Sequence, residues 1–99
     1  MRVKTDNVIK EKSLLFGIRT VKMVRFLLKQ VTYAEHPIFT QMLKCGTSIG
    51  ANVREAEHGE SNDDFKHKLK IALKEANESL YWLEIFFMQN ILILTNMKA

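Results

Sequence analysis

Phe65, Leu69, Ala72, Leu73, Ala76, Leu80, Leu83 and Phe87 recur at spacings of three and four, the period that gathers side chains on one side of an α-helix. A helix carrying that stripe from end to end is roughly 33 Å long at 1.5 Å per residue, and its apolar side needs partners of similar length. A chain of 99 residues has room for few such partners and for one core. Turns are limited too, because the chain holds only four glycines and one proline, and tight connections rely on such residues. These constraints predict an all-α protein: one domain over residues 1–99, an antiparallel up-and-down bundle of three long helices.

Asp6 and Asn7 are suited to cap the first helix, their short side-chain oxygens accepting hydrogen bonds from amides of the first turn, and the pattern predicts a helix over about 8–33. Ile9, Phe16, Met23, Val24, Leu27, Leu28 and Val31 gather on its core side. Lys12, Arg19, Lys22, Arg25 and Lys29 gather opposite, with Leu15, Phe26 and Tyr33 among them. Pro37 suits a first helical turn, where a missing amide proton costs nothing. It opens a predicted second helix over about 37–58, with Ile38, Phe39, Met42, Leu43, Ile49 and Val53 on its apolar arc. Gly46 and Gly50 lie within that arc. Each costs about 1 kcal/mol relative to alanine inside a helix, so close approach of another helix is expected to offset them. Gly59 reads as a stop, and Ser61 with Asp64 as a capping box that opens a third helix over about 62–88. Ile71, Glu75, Glu78 and Trp82 lie on one flank of its stripe, and Lys66, Lys70 and Lys74 on the other. Trp82 and Ile71 outside the stripe suggest a second buried surface. The apolar segment after Met88 is too short for a bundle helix.

Net charge is +4, unevenly placed. Residues 1–54 hold ten Lys or Arg against three acids, +7, and residues 55–99 hold five against eight, −3. The cationic side of the first helix therefore has two readings: a surface for a phosphate backbone, with Phe26 and Tyr33 for stacking, or a solvated face. A helix-turn-helix reader is disfavoured, because the third helix is mostly core. Three long helices should also leave apolar surface exposed, which points to homo-oligomers.

Several chemistries are excluded or weakened by what surrounds their residues. Glu55 with His58, and Asp64 with His67, have a carboxylate-x-x-His spacing found in metal bundles, but both pairs flank the connection at Gly59, where charged groups meet water. Glu75 and Glu78 share a face without a second constellation, and salt links to a neighbouring subunit's basic face are the expected role. Ser48 and Cys45 lack the setting of a nucleophile and are expected to pack. No phosphate-binding loop, dinucleotide fingerprint or zinc spacing occurs. The expectation is a protein that is not an enzyme, with no cofactor, metal or small-molecule substrate. The lone Cys45 suits a reducing compartment, so cytoplasm is expected. The polar N-terminus does not read as a signal peptide, and the apolar stretch from Ile85 to Leu94 is too short to span a bilayer, so no membrane role is expected.

Three blocks, NVIKEKSLLFGIRTV at 7–21, GTSIGANVREA at 46–56 and KLKIALKEANESLYWLE at 68–84, resemble the bacterial four-helix-bundle proteins of 23S ribosomal RNA intervening sequences. Glycine, serine and asparagine at such intervals inside a helix make the middle block specific. Ser48, Gly50, Asn52, Arg54 and Glu55 match that family's second helix, and Glu75, Glu78, Tyr81 and Trp82 its third. The resemblance implies an antiparallel four-helix bundle, commonly a ring-like pentamer, with no enzymatic activity. Relatives include the accessory protein of diversity-generating retroelements, which binds reverse transcriptase and nucleic acid. The family usually continues into a fourth helix, which is shortened or missing here. Two functions are therefore expected in competition: a homo-oligomeric basic adaptor for structured RNA or a nucleic-acid enzyme such as a reverse transcriptase, or a structural assembly module, anchored through Ile71 and Trp82, with no nucleic-acid role.

Overall fold

A computed structural model describes residues 3–89, with side-chain environments from Val8 onward. Three helices, α1 (Val3–Leu28), α2 (His36–Glu57) and α3 (Asn62–Met88), run alternately up and down, and a single 3-10 turn at Tyr33–Glu35 precedes α2. The expected bundle of three long helices is present. The segment after Met88 that reads as a short tail lies outside the described residues from 90 on.

Each boundary has a local cause. Pro37 sits in the first turn of α2. Ser61 caps α3, its Oγ accepting from the Asp64 amide at 3.1 Å. The capping box is displaced by one residue, because the Asp64 carboxylate returns to the Glu60 amide at 3.3 Å. Asp63 and Asp64 also place negative charge at the positive end of α3. At Gly59 the need for glycine is steric: a Cβ would stand 3.0 Å from the Asp64 carboxylate and 3.2 Å from the Ala56 carbonyl.

The first helix differs from expectation at both ends. It already includes Asp6 and Asn7, so neither residue is its cap, and it stops at Leu28 rather than near Tyr33. Lys29 and Gln30 form a turn, their amides bonding back to Phe26 and Leu27, and Tyr33 begins the 3-10 turn instead. The apolar period alone continues through Val31 and therefore overran the helix, while periodicity gives no signal for where a helix begins.

α2 is the middle helix, with α1 and α3 packed along it. The large side chains concentrate at the end where α1 finishes: Val24, Leu27, Phe39, Met42, Cys45 and Phe86 form the core, and the rings of Phe39 and Phe86 stack with centroids 4.7 Å apart. Toward the other end the buried residues are mostly small, Ser13, Thr20, Gly46, Ala56, Ala72 and Ser79, with Val53 the one larger side chain among those described. α1 passes close over the glycines of α2. A Cβ on Gly46 would lie 2.7 Å from Thr20 Cγ2 and Oγ1, and one on Gly50 would lie 3.2 Å from the Ser13 carbonyl oxygen. The glycines thus permit close approach, as their cost in propensity led one to expect.

This crossing corrects the expected core side of α1. Ile9 is exposed, and Phe16 and Met23 are half-buried, whereas Ser13 and Thr20 are buried. Small hydroxyl residues fit beneath a glycine where Phe or Met would not, and each hydroxyl is satisfied within its own helix, Ser13 by the Lys10 carbonyl at 3.1 Å and Thr20 by that of Phe16 at 2.8 Å. α3 needs a similar correction. Its buried line is Ala72, Ser79 and Phe86, turned by about 65° from the centre of the apolar stripe at 100° per residue. Leu73, Leu80 and Phe87, expected in the core, are 61%, 62% and 56% exposed.

Cys45 faces α3 from α2, and the single hydroxyl proton of Ser79 has two acceptors in reach, the Glu75 carbonyl at 2.9 Å and the Cys45 sulfur at 3.3 Å. Burial pushes the thiol up from its ordinary value, and the charges of Glu78 and Glu75 push the same way.

Gly46→Ala and Gly50→Ala should each lower stability by about 1–2 kcal/mol despite alanine's better propensity, because overpacking outweighs the gain. Gly17→Ala, whose Cβ would meet nothing nearer than 3.9 Å, should raise stability by about 0.5–1 kcal/mol; urea titration distinguishes the signs. Because the folded thiol titrates above the unfolded one, the stability associated with neutral Cys45 is full below the unfolded pKa and is lost as pH rises toward the folded value. Cys45→Ala should therefore flatten the alkaline fall in stability, measured by urea titration from pH 7 to 10.

Candidate nucleic-acid interface

Lys12, Arg19, Lys22 and Arg25 all stand exposed on α1, and Lys29 is exposed in the turn just past its end. From Lys12 to Lys29 they extend over roughly 26 Å at a helical rise. Their register divides them into two rows: Lys12 and Arg19 lie toward α3, and Lys22, Arg25 and Lys29 point away from the bundle. Among the described residues none of the five has a carboxylate partner; the two ion pairs there are Lys10 with Glu57 at 3.3 Å and Lys68 with Glu55 at 2.8 Å. An unpaired row of cations keeps its charge available to an external anion.

Apolar groups are interleaved with this charge. Leu15 and Phe26 are each 46% exposed, so both can contact a flat partner. Tyr33 is 85% exposed, but it stands on the 3-10 turn against His36, with ring centroids 5.1 Å apart, rather than on the helix. The cations and Phe26 form one surface, and Tyr33 stands beyond its end.

The second-helix signature residues are structural in part. Ser48 Oγ donates to the Lys44 carbonyl at 2.7 Å, and Asn52 Nδ2 to the Ser48 carbonyl at 2.9 Å, so both polar groups are engaged along α2. Glu55 ties α2 to α3 through Lys68 and raises that ammonium's pKa by direct hydrogen bonding. Arg54 is exposed and has no ion-pair partner among the described residues. Among the described residues no three His, Cys, Asp or Glu side chains converge as a metal cluster would require; Glu55 turns to Lys68 and Asp64 to the Glu60 amide.

On α3, Ile71, Glu75 and Trp82 are half-buried, and Glu78 and Tyr81 exposed. The Trp82 indole donates to Glu78 at 3.4 Å, lies edge-on to Tyr81, and packs against the core of its own chain. The second buried surface inferred from Trp82 is thus occupied in part within the chain.

Two apolar concavities were missed in the sequence. Leu14, Gly17, Ile18, Val21, Gly50 and Ala51 line a hollow of about 510 Å³ between α1 and α2, with Arg54 and Glu55 at its edge. The signal for it was Leu14, Ile18 and Val21 at helical spacing. The other, about 400 Å³, lies between α1 and α3 over Ile49, walled by Val8, Ile9, Phe16, Ala76 and Leu80, with Lys12 at its rim. Among the described residues no helix is long and apolar enough to cross a membrane.

With this geometry in view, comparisons with known proteins fix the ancestry. No curated protein matches the chain. A crystal structure of a protein of unknown function from the S23 ribosomal protein family, from Bacteroides thetaiotaomicron VPI-5482, is similar at 48% identity with a TM-score of 0.78. The match covers 87% of this chain and 75% of that one. The family model described as 23S rRNA-intervening sequence protein matches residues 5–98. The chain belongs to the 23S rRNA-intervening sequence protein family.

Proposed function

We propose that this protein is a non-enzymatic, homo-oligomeric adaptor of the cytoplasm that presents the basic faces of its first helices to structured RNA. A nucleic-acid enzyme such as a reverse transcriptase is a second recipient of the same face. The observation that carries the reading is the row Lys12, Arg19, Lys22, Arg25 and Lys29, exposed and without carboxylate partners among the described residues. Half-exposed Leu15 and Phe26 beside the cations add contacts that need no particular base sequence. Assembly into a ring, a pentamer in the form the family resemblance implies, would multiply the row around a common axis and so raise avidity.

A structural assembly module without nucleic-acid binding is the second reading, favoured by the apolar groups left open at Leu14, Ile18, Leu73, Leu80 and Tyr81. Trp82 packs on its own core, so the exposed Tyr81 is the cleaner place to test an interface on α3.

Binding of a fluorescent RNA hairpin, titrated between 50 and 250 mM salt (about 50 to 250 mM spans the range where such contacts respond), should give a log–log slope between about −2 and −4.5, as expected for three to five phosphate contacts. Arg19→Glu, Lys22→Glu and Arg25→Glu together should weaken binding by more than about tenfold at low salt. Unchanged affinity in that variant would overturn the adaptor reading. Under the second reading, Tyr81→Ala lowers the oligomer's mass in light scattering while RNA has no effect.

A further inference from the structure

The connection between α1 and α2 holds an aromatic residue on a fixed backbone. Thr32 is extended, at φ −73° and ψ 156°, and the 3-10 turn after it is closed by the Glu35 amide on the Thr32 carbonyl at 3.0 Å and by the His36 amide on that of Tyr33. Pro37 then fixes the first turn of α2. Val31, before the turn, packs against the core, whereas Tyr33 stands 85% exposed. The Tyr33 and His36 rings have centroids 5.1 Å apart and planes inclined at 52°, an open wedge rather than a closed stack. That wedge is one wall of a hollow of about 550 Å³ lined by Tyr33, Ala34, His36, Pro37, Thr40 and Gln41, within the roughly 300–1,000 Å³ of small-ligand sites. We propose that this hollow takes the base of an unpaired nucleotide, stacked on Tyr33, and so directs the protein to RNA loops and ends rather than to uninterrupted duplex.

A nucleobase offers an aromatic face and an edge of mixed donors and acceptors, and the hollow has a counterpart for each. The open ring of Tyr33 supplies the face. Gln41 is exposed, and among the described residues its side chain makes no hydrogen bond, so its amide presents both a donor and an acceptor to the edge. The Thr40 hydroxyl donates to the His36 carbonyl at 3.2 Å, which leaves its oxygen as an acceptor toward a ligand.

Charge beside the hollow suits a nucleotide better than a neutral peptide. Lys29 precedes Tyr33 by four residues, at most about 14 Å of chain, and Lys44 lies one helical turn beyond Thr40 and Gln41 on α2. Both lysines are exposed and have no ion-pair partner among the described residues. They stand before and after the hollow, where the phosphates on either side of a stacked base would lie, and Glu35 is the one acid of the turn. A neutral peptide would leave both charges unused. Tyr33 also stands beyond the end of the cationic row, so a stem lying along Lys12 to Lys29 brings its loop or end to the turn. The base site rests on the proposed RNA-binding face of α1, which alone reads only phosphates.

The test titrates the full chain at low salt with two RNAs of the same stem, one closed by an unpaired loop and one a blunt duplex. Tyr33→Ala, at an exposed position that leaves the core intact, should weaken binding of the loop RNA by about fivefold to 100-fold, the loss of one base stack, and leave the blunt duplex unchanged. Tyr33→Phe should keep the parent's affinity for both. A fluorescent adenine analogue in the loop should be quenched on binding the parent and Tyr33→Phe chains and not on binding Tyr33→Ala. Equal affinity of the parent and Tyr33→Ala for the loop RNA overturns the base site and leaves the cationic face standing. An equal loss on both RNAs also overturns it, because Tyr33 would then act through the turn. If the parent binds neither RNA, the cationic face and the base site fail together.

Discussion

Close passage of α1 over Gly46 and Gly50 is the constraint from which the rest of the arrangement follows. With no Cβ on α2 at those two positions, Thr20 and the Ser13 backbone enter space that any other residue would occupy. That approach determines which side of α1 faces inward. Ser13, Thr20, Val24 and Leu27 turn to the core, and the side that bears Lys22, Arg25 and Lys29 turns out. The helical glycines sacrifice propensity, and dense contact between backbones offsets the loss. Because small residues fill this half of the bundle, the larger apolar groups are concentrated at the other end around Phe39 and Phe86.

The same geometry separates the molecule's two kinds of surface. Cations without carboxylate partners among the described residues line the exposed sides of α1, while apolar hollows lie along its two seams, one with α2 and one with α3. α3 bears an apolar arc wider than α2 can cover, so Leu73 and Leu80 remain open. A bundle of this form has surface for an acidic ligand and for further apolar packing at once. These are the physical requirements of an adaptor that assembles and binds. Of the two residues with nucleophilic side chains weighed in the sequence, Cys45 is buried with its thiol pKa pushed up, and Ser48 donates to a carbonyl of its own helix.

Much of this was legible in the sequence. The Phe65–Phe87 stripe located α3, Pro37 and Ser61 located two helix starts, and Gly46 and Gly50 announced a close crossing. The four cations on α1, and Lys29 in the turn just past its end, are exposed on the side that the period sets opposite the core. What was not legible followed from competition between faces. Large apolar residues at Ile9, Leu73 and Leu80 read as core because periodicity counts hydrophobicity, whereas the crossing selected Ser13 and Thr20 for their size. A stripe also fixes a side without saying which part of it a single neighbour will cover, hence the rotation of α3. The end of α1 was missed because Val31 continues the period after the backbone has turned. Family membership came through with unusual clarity, since serine, glycine and asparagine inside a helix at 48, 50 and 52 are hard to explain by helix formation alone.

If an assembled form of this bundle carries structured RNA on the outward side of α1, as proposed, the mass of the particle reports it. Multi-angle light scattering during size-exclusion chromatography, on the chain alone and with an RNA hairpin at low salt, reads assembly and binding together. A discrete oligomer whose mass rises by whole numbers of RNA molecules is the expected result. A monomer, or an oligomer whose mass is unchanged by RNA, would contradict it.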